Sequence, residues 1–430
     1  MEAITLNGIQ RTEKGFRYEF TLSEGLTPYF SGKPFVAEYS ENVQAVPDGV
    51  AAIPFVCSVL PIMWLTDAVL SVDQLDQDFY DCIPNILAGY REMYPDTVFG
   101  GRLDAGQLIP SRPNPGNGAA VLFSGGLDAV SSLITHLDEK PALLSVWGAD
   151  IPYDSEEGWN RVYAGIQEYR EKYDLEGCVV RSTFREFDRE DQLSNRFRES
   201  MKDHWWHGIK HSLCLLGHMA PYVWLHGTKK LYIASSFTKN DEPYHCASNP
   251  KTDNAVRFAG ARVIHDGYAF NRQGKIQNVV NYANKSHEKV KLHVCWQSQD
   301  GGNCCRCEKC YRTMGGLIAA GADPVDYGFQ DAKDGIAHMH DVLAWEGSHK
   351  GVNEARWGCI QRELLKNEAV VRKSPYWHHV KFIKDMDFTK ENPVTIPLVY
   401  RIRGKLGEFK FYQNLHKMKM RLIHREKSHE

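Results

Sequence analysis

A chain of 430 residues with 43% hydrophobic and 24% charged residues carries enough apolar material for two or three domain-sized cores, which excludes a disordered or low-complexity protein. The formal net charge of −3 gives no overall case for nucleic acid or an anionic membrane, so such a partner would need a local basic patch. Met1 is followed by EAITLNGIQRTEKG, which has neither the basic nor the apolar region of a secretory leader, and with eleven partly clustered cysteines the expectation is a reducing cytoplasm.

In chain order, GFRYEFTL alternates like a half-buried strand. AAIPFVCSVLPIMWL, 51–65, is strongly apolar but short of the roughly 20 residues of a membrane span, and Pro54 and Pro61 punctuate it, so a buried core segment is expected and no transmembrane segment. DQDFYDCIPNILAGYREMY has helical spacing, and SRPNPGNG, 111–118, reads as a linker. After it strands AAVLF, PALLSVWGA, GCVVRST and LYIASS alternate with helices DAVSSLITHL, EGWNRVYAGIQEYREKY and the stretch through HWWHGIKHSLCLLGHMA. Such alternation predicts an α/β fold with a parallel sheet covered on both faces. Three segments are expected: an accessory α+β domain over 1–115, the α/β domain over 116–321, and a mostly helical extension over 322–430.

Ser124, Gly125, Gly126 and Asp128, in VLFSGGLDAV, fall between the first strand after the linker and a helix striped by Leu127, Val130, Leu133, Ile134 and Leu137. Glycines let backbone approach an anion, a helix start offers free N–H groups, Ser124 adds a hydroxyl, and Asp128 can hold magnesium. Taken alone, SGG is equally a turn in which Ser124 or Asp128 merely caps the helix. The strand, glycines, aspartate and following βαβ pattern together resemble the PP-loop, SGGxDS, of ATP pyrophosphatases. This chain departs from that motif at its last position, where Ala129 replaces serine; Ser131 and Ser132 are the nearby hydroxyls.

Cys295, Cys304, Cys307 and Cys310 follow the spacing C-x8-CxxCxxC. Four thiolates suit a closed, structural tetrahedral zinc site, an iron–sulfur cluster being the competing reading. Cys305 adjoins Cys304, and Cys304 is preferred because it keeps the two-residue gap to Cys307. Ser235 and Ser236 end LYIASS, either at a nucleotide or as plain loop-start serines. Lys275, in NRQGKI, stands where PP-loop enzymes place a phosphate-binding lysine, or is a solvated helix-start lysine. His204, His207, His211 and His218 read as core or surface histidines rather than ligands, and Cys246 as an ordinary thiol.

The loop, the cysteine spacing and YRTM together resemble 7-cyano-7-deazaguanine synthase over residues 119–321, about half of the chain. The resemblance implies an enzyme that uses ATP and Mg2+ to adenylate a carboxylate, plausibly 7-carboxy-7-deazaguanine, releasing pyrophosphate, after which a nitrogen nucleophile displaces AMP. It implies Ser124, Gly125, Gly126 and Asp128 at the pyrophosphate and magnesium, and four cysteines on zinc. Extended relatives of the synthase look like enzymes recruited to bacterial defence or cell-surface pathways, with a protein amine as acceptor, and a homodimer is compatible with the resemblance. Competing functions are PP-loop amidotransfer to a sugar or base, and a nucleotide-binding sensor or assembly module without turnover. Residues 1–118 carry seven Lys and Arg against fifteen Asp and Glu, which argues against RNA as a partner. Residues 401–430 carry nine against three, a basic amphipathic helix suited to a partner, an anionic surface or nucleic acid, or to closing on its own domain.

Overall fold

A computed structural model of the chain describes residues 2–110, 116, 118–241, 245–295, 297–298, 301–347, 353–388 and 390. Residues 1–282 with 291–302 form one compact unit, and 283–290 with 303–430 form another. Most of the 111–118 linker and the basic stretch 401–430 lie outside the described residues.

The first unit is built on one sheet of eleven described strands: β1 (Ala3–Thr12), β2 (Gly15–Leu22), β3 (Phe35–Tyr39), β4 (Val69–Asp76), β5 (Arg102–Ile109), β6 (Ala119–Leu122), β7 (Ala142–Trp147), β8 (Gly177–Ser182), β9 (Lys230–Ala234), β10 (Arg257–Phe258) and β11 (Ala261–Asp266). They lie in the order β10-β11-β9-β6-β7-β8-β3-β2-β1-β4-β5. From β11 to β8 every neighbouring pair is parallel, which gives the α/β class expected. β6 and β7 read as nearly continuous apolar runs because helices cover both their faces. The helices Leu127–Thr135 and Glu156–Tyr173 carry the chain from β6 to β7 and β8, while β9 returns to the other side of β6. That reversal falls at the carboxyl ends of β6 and β9, the place where ligands of such sheets bind.

The amino-terminal segment differs from the separate domain expected over 1–115. β3 pairs antiparallel with β8, Ala37 opposite Ser182 and Tyr39 opposite Val180, so β1 to β5 extend the same sheet. The apolar run 51–65 supplies the physical reason. It forms the helix Ile53–Thr66, buried from Ile53 to Trp64 on every side, which 1–115 alone cannot cover. The helix His211–Gly217 closes against it, so tightly that a Cβ on Gly217 would stand 2.6 Å from the Cys57 sulfur. No helix among the described residues is long and apolar enough to cross a membrane.

The second unit is helical. Glu308–Ala319 packs on Cys359–Lys366, and Gly315 leaves room for Trp357, Ile360 and Ile383 at van der Waals contact.

His218 is a satisfied core histidine: Nδ1 lies 2.6 Å from the Cys214 carbonyl oxygen and Nε2 2.9 Å from the Ser182 hydroxyl. Burial lowers it from 6.5 to about 4. Its unfolded form therefore binds the extra proton between those values, and the stability it protects is present above pH 6.5 and lost as pH falls through about 4, roughly 3 kcal/mol in all. Buried Asp188, pushed up to about 6 by burial against the pull of Lys210, has the opposite sign over its own window. Urea titrations of His218→Gln and the parent between pH 7.5 and 4 isolate the histidine. The gap between the two is expected to narrow on acidification, and a constant gap would refute the assignment.

Candidate functional site

The β6 strand ends at Leu122, and Phe123 is still held in place, its N–H donating to the Leu144 carbonyl at 2.8 Å and its carbonyl accepting from the Ser145 hydroxyl at 2.6 Å. The turn that follows needs Gly125, which sits at φ +73°, a conformation that side chains rarely adopt. Gly126 caps the helix Leu127–Thr135 without a side-chain cap, and its own N–H donates to the Ser124 hydroxyl at 3.3 Å. The His293 N–H donates to the Gly125 carbonyl at 2.8 Å, bracing the turn from a distant segment.

Lys275 is buried rather than solvated, at 3% exposure, on the helix Arg272–Ser286. Its Nζ donates to Asp128 Oδ1 at 3.0 Å and to the carbonyl of Ser235, and lies 3.4 Å from Ser235 Oγ. The start of the helix after β6, the end of β9 and the helix Arg272–Ser286 thus meet at one ammonium. Ser124, Gly125, Gly126, Asp128, Lys275 and Ser235 are brought together. Ser235 is buried, its hydroxyl donating to the Phe237 carbonyl at 2.7 Å, whereas Ser236 is exposed beside it. The arrangement offers glycine backbone, a helix start without a side-chain cap, one buried cation and one carboxylate, a set suited to an anion with a bound metal ion.

The two hydroxyls near Ala129 are engaged elsewhere. Ser131 Oγ accepts from Asn278 Nδ2 at 3.0 Å, and Ser132 Oγ donates to Asp266 Oδ2 at 2.6 Å. Asp266 also receives the Ser235 N–H on its carbonyl at 2.8 Å, so it ties the ends of β9 and β11 to this helix. No motif in the sequence marks Asp266 or His293, because both act through their place in the sheet and loop.

The sulfurs of Cys295, Cys304, Cys307 and Cys310 lie within 4.8 Å of one another, a group able to hold a metal ion. Cys304 and Cys310 stand 3.9 Å apart, close to the ~3.8 Å edge of a tetrahedron with ~2.3 Å metal–sulfur bonds. Backbone N–H groups support the sulfurs: Ser298 donates to Cys295 at 3.3 Å, and Cys310 to Cys307 at 3.4 Å, where Cys307 caps the helix Glu308–Ala319. Cys305 is not among the four; at φ +53° its thiol turns to the Asn303 carbonyl, 3.5 Å away.

An open cleft of about 890 Å³, with Asp78, Asp81, Lys230, Arg257 and Arg262 on its walls, lies at the amino ends of β9 and β11. It is at the opposite edge of the sheet from the converging groups, and its charges are of both signs, so we do not place chemistry there. No protein-family model, curated protein or solved structure matches the chain.

Proposed function

We propose that the protein is an ATP-dependent, AMP-forming ligase of the PP-loop type, similar to 7-cyano-7-deazaguanine synthase, which joins a carboxylic acid to ammonia or an amine. The observation that carries the reading is the meeting of the SGG turn, Asp128, Lys275 and Ser235 at the reversal of strand order. A glycine turn opening an uncapped helix binds phosphate oxygens through N–H groups, and buried Lys275 neutralises charge that develops on the departing pyrophosphate. The Asp128 carboxylate, still 23% exposed, is the oxygen ligand that would hold Mg2+ on the phosphates.

The acid's oxygen attacks the α-phosphorus and pyrophosphate leaves. The amine nitrogen then attacks the acyl carbon and AMP leaves with the electrons of the broken C–O bond. Positioning and charge neutralisation carry most of such a reaction. The four cysteines fit structural zinc, since all four positions are filled by thiolates. The acid resembling the synthase's own is 7-carboxy-7-deazaguanine, and a protein amine is the acceptor that extended relatives suggest.

The test is incubation of zinc-replete protein with ATP, Mg2+ and 7-carboxy-7-deazaguanine, with and without ammonia, following AMP and product mass. Acid-dependent AMP is expected, with nitrile or amide product if ammonia is the acceptor. Binding of ATP with no AMP from a panel of carboxylic acids would overturn the reading in favour of a nucleotide sensor, which Ala129 and the engaged Ser131 and Ser132 would then explain.

A further inference from the structure

The helix Leu127–Thr135 carries a second stripe besides its apolar one. Asp128, Ser132 and His136, the last of them closing the helix, follow one another at four-residue steps and so share one line along its side. Asp128 meets Lys275, which also holds the Ser235 carbonyl just past β9. Ser132 is buried, and its hydroxyl donates to Asp266 Oδ2 at 2.6 Å. His136 Nε2 lies 3.2 Å from Asp266 Oδ1, within ion-pairing distance. One carboxylate at the end of β11 therefore engages this helix at two residues a turn apart.

Both sides of that engagement are anchored. The Asp266 backbone is in register with Ala234 of β9, and its carbonyl accepts the Ser235 N–H at 2.8 Å. The His136 ring stacks on Tyr232 of β9 with centroids 3.9 Å apart, and its Nδ1 lies 3.2 Å from Glu139 Oε1. Glu139 accepts in addition from the Tyr232 hydroxyl at 2.8 Å and from Lys230 Nζ at 2.7 Å. Burial works against the charge on Glu139, but Lys230, Tyr232 and His136 together outweigh it and hold the carboxyl below its usual value.

The contacts close a ring around the candidate nucleotide site. It runs from Asp128 along one helical turn to Ser132, across to Asp266, over a backbone hydrogen bond to Ser235, on to Lys275, and back to Asp128. Asp266 belongs neither to the SGG turn, nor to LYIASS, nor to the helix of Lys275. Asn278, three residues after Lys275, also grips the Asp128 helix, its Nδ2 donating to the Ser131 hydroxyl at 3.0 Å. The two helices are thereby tied to each other, and Asp266 ties the Asp128 helix to the sheet. The apolar contacts of Leu127, Val130 and Leu133 are non-directional and allow a small slide or rotation at little cost. Hydrogen bonds are directional, so a carboxylate gripping a turn apart fixes both. Asp128 depends on this, because it can offer an oxygen to a metal ion on the phosphates only while it keeps its place beside Lys275 and Ser235.

We propose that Asp266 is a positioning residue for a metal–nucleotide complex: engaging Ser132 and His136, it sets the helix so that Asp128 holds the divalent cation of a bound nucleoside triphosphate beside Lys275. The proposal rests on the reading of this site as one for ATP and Mg2+.

Calorimetric titration of the full chain with α,β-methylene-ATP, in EDTA and across a range of Mg2+, reads positioning apart from turnover. Asp266→Ala is expected to bind the analogue in EDTA within about 2-fold of the parent but to need about 10–100-fold more Mg2+ for half of the gain in affinity, the range that loss of an outer partner of a metal ligand costs. Ser132→Ala, which removes one of the two contacts, is expected to fall between them. Asp266→Asn keeps an acceptor for Ser132 and is expected to lie nearer the parent than Asp266→Ala; if the alanine variant does not fold, these two carry the same reading. A residue that merely held the fold together would lower affinity equally with and without Mg2+. That result would overturn the proposal, as would a parent-like Mg2+ requirement in Asp266→Ala and Ser132→Ala.

Turnover gives an independent arm. In acid-dependent AMP formation, excess Mg2+ is expected to bring Asp266→Ala back towards the parent rate and to leave Asp128→Asn defective. A parent that binds the analogue with Mg2+ dependence, is weakened in the variants as expected, and forms no AMP from any acid would overturn adenylation and keep the positioning role. A parent that forms AMP, with Asp266→Ala retaining its Mg2+ requirement, would overturn the positioning role and keep adenylation.

Discussion

Asp128→Asn is expected to cut acid-dependent AMP formation by about 10²–10³ and to lower stability by about 1–2 kcal/mol. The carboxylate is partly exposed and would hold the metal ion, so its loss falls mainly on turnover, but it also leaves the buried Lys275 ammonium without its charged partner. Lys275→Met is expected to abolish turnover and also to cost about 2–3 kcal/mol of stability. That substitution leaves the Asp128 carboxylate and the Ser235 carbonyl without their shared donor. The double variant separates the two effects. Asp128→Asn should recover part of the stability lost in Lys275→Met, because the uncompensated charge is gone, and should recover none of the activity. Urea midpoints and AMP release measured on the three proteins check this, and parent-like AMP release by Asp128→Asn would remove the aspartate from the phosphate site.

Much of this site is legible in the sequence, for local reasons. A glycine at positive φ, a strand of four apolar residues and a helix with a clean stripe all leave short-range signatures, and β6, β7, β8 and β9 coincide with the runs expected. The sequence marks Lys275 only as a candidate, because its burial against Asp128 is a contact across 147 residues. The merging of the amino-terminal strands into the same sheet had no sequence signal: β3 meets β8 across more than 140 residues, and alternation in GFRYEFTL reports a half-buried strand without saying which sheet it joins.

Stripping the metal from the four-cysteine site is expected to unfold the start of the helix Glu308–Ala319 and to weaken nucleotide binding at the SGG turn. The first effect follows from Cys307, whose sulfur both belongs to the cluster and caps that helix; once protonated and released it no longer accepts the Cys310 N–H as a thiolate. The second follows from chain continuity. Cys295 stands two residues after His293, and the His293 N–H holds the Gly125 carbonyl at 2.8 Å, so freeing Cys295 loosens the brace on a turn that depends on a positive φ. A chelated sample, or Cys307→Ser, should therefore lose one metal equivalent per chain and several kcal/mol of stability, and bind a non-hydrolysable ATP analogue at least 10-fold more weakly by calorimetry. Cys305→Ser should keep the metal and the affinity, because its thiol faces the Asn303 carbonyl rather than the cluster. Metal loss in Cys305→Ser would refute the choice of Cys304. Metal-free protein that binds the analogue as tightly as the parent would show that Gly125 holds its conformation without the brace, and the turn would then be a rigid element in its own right.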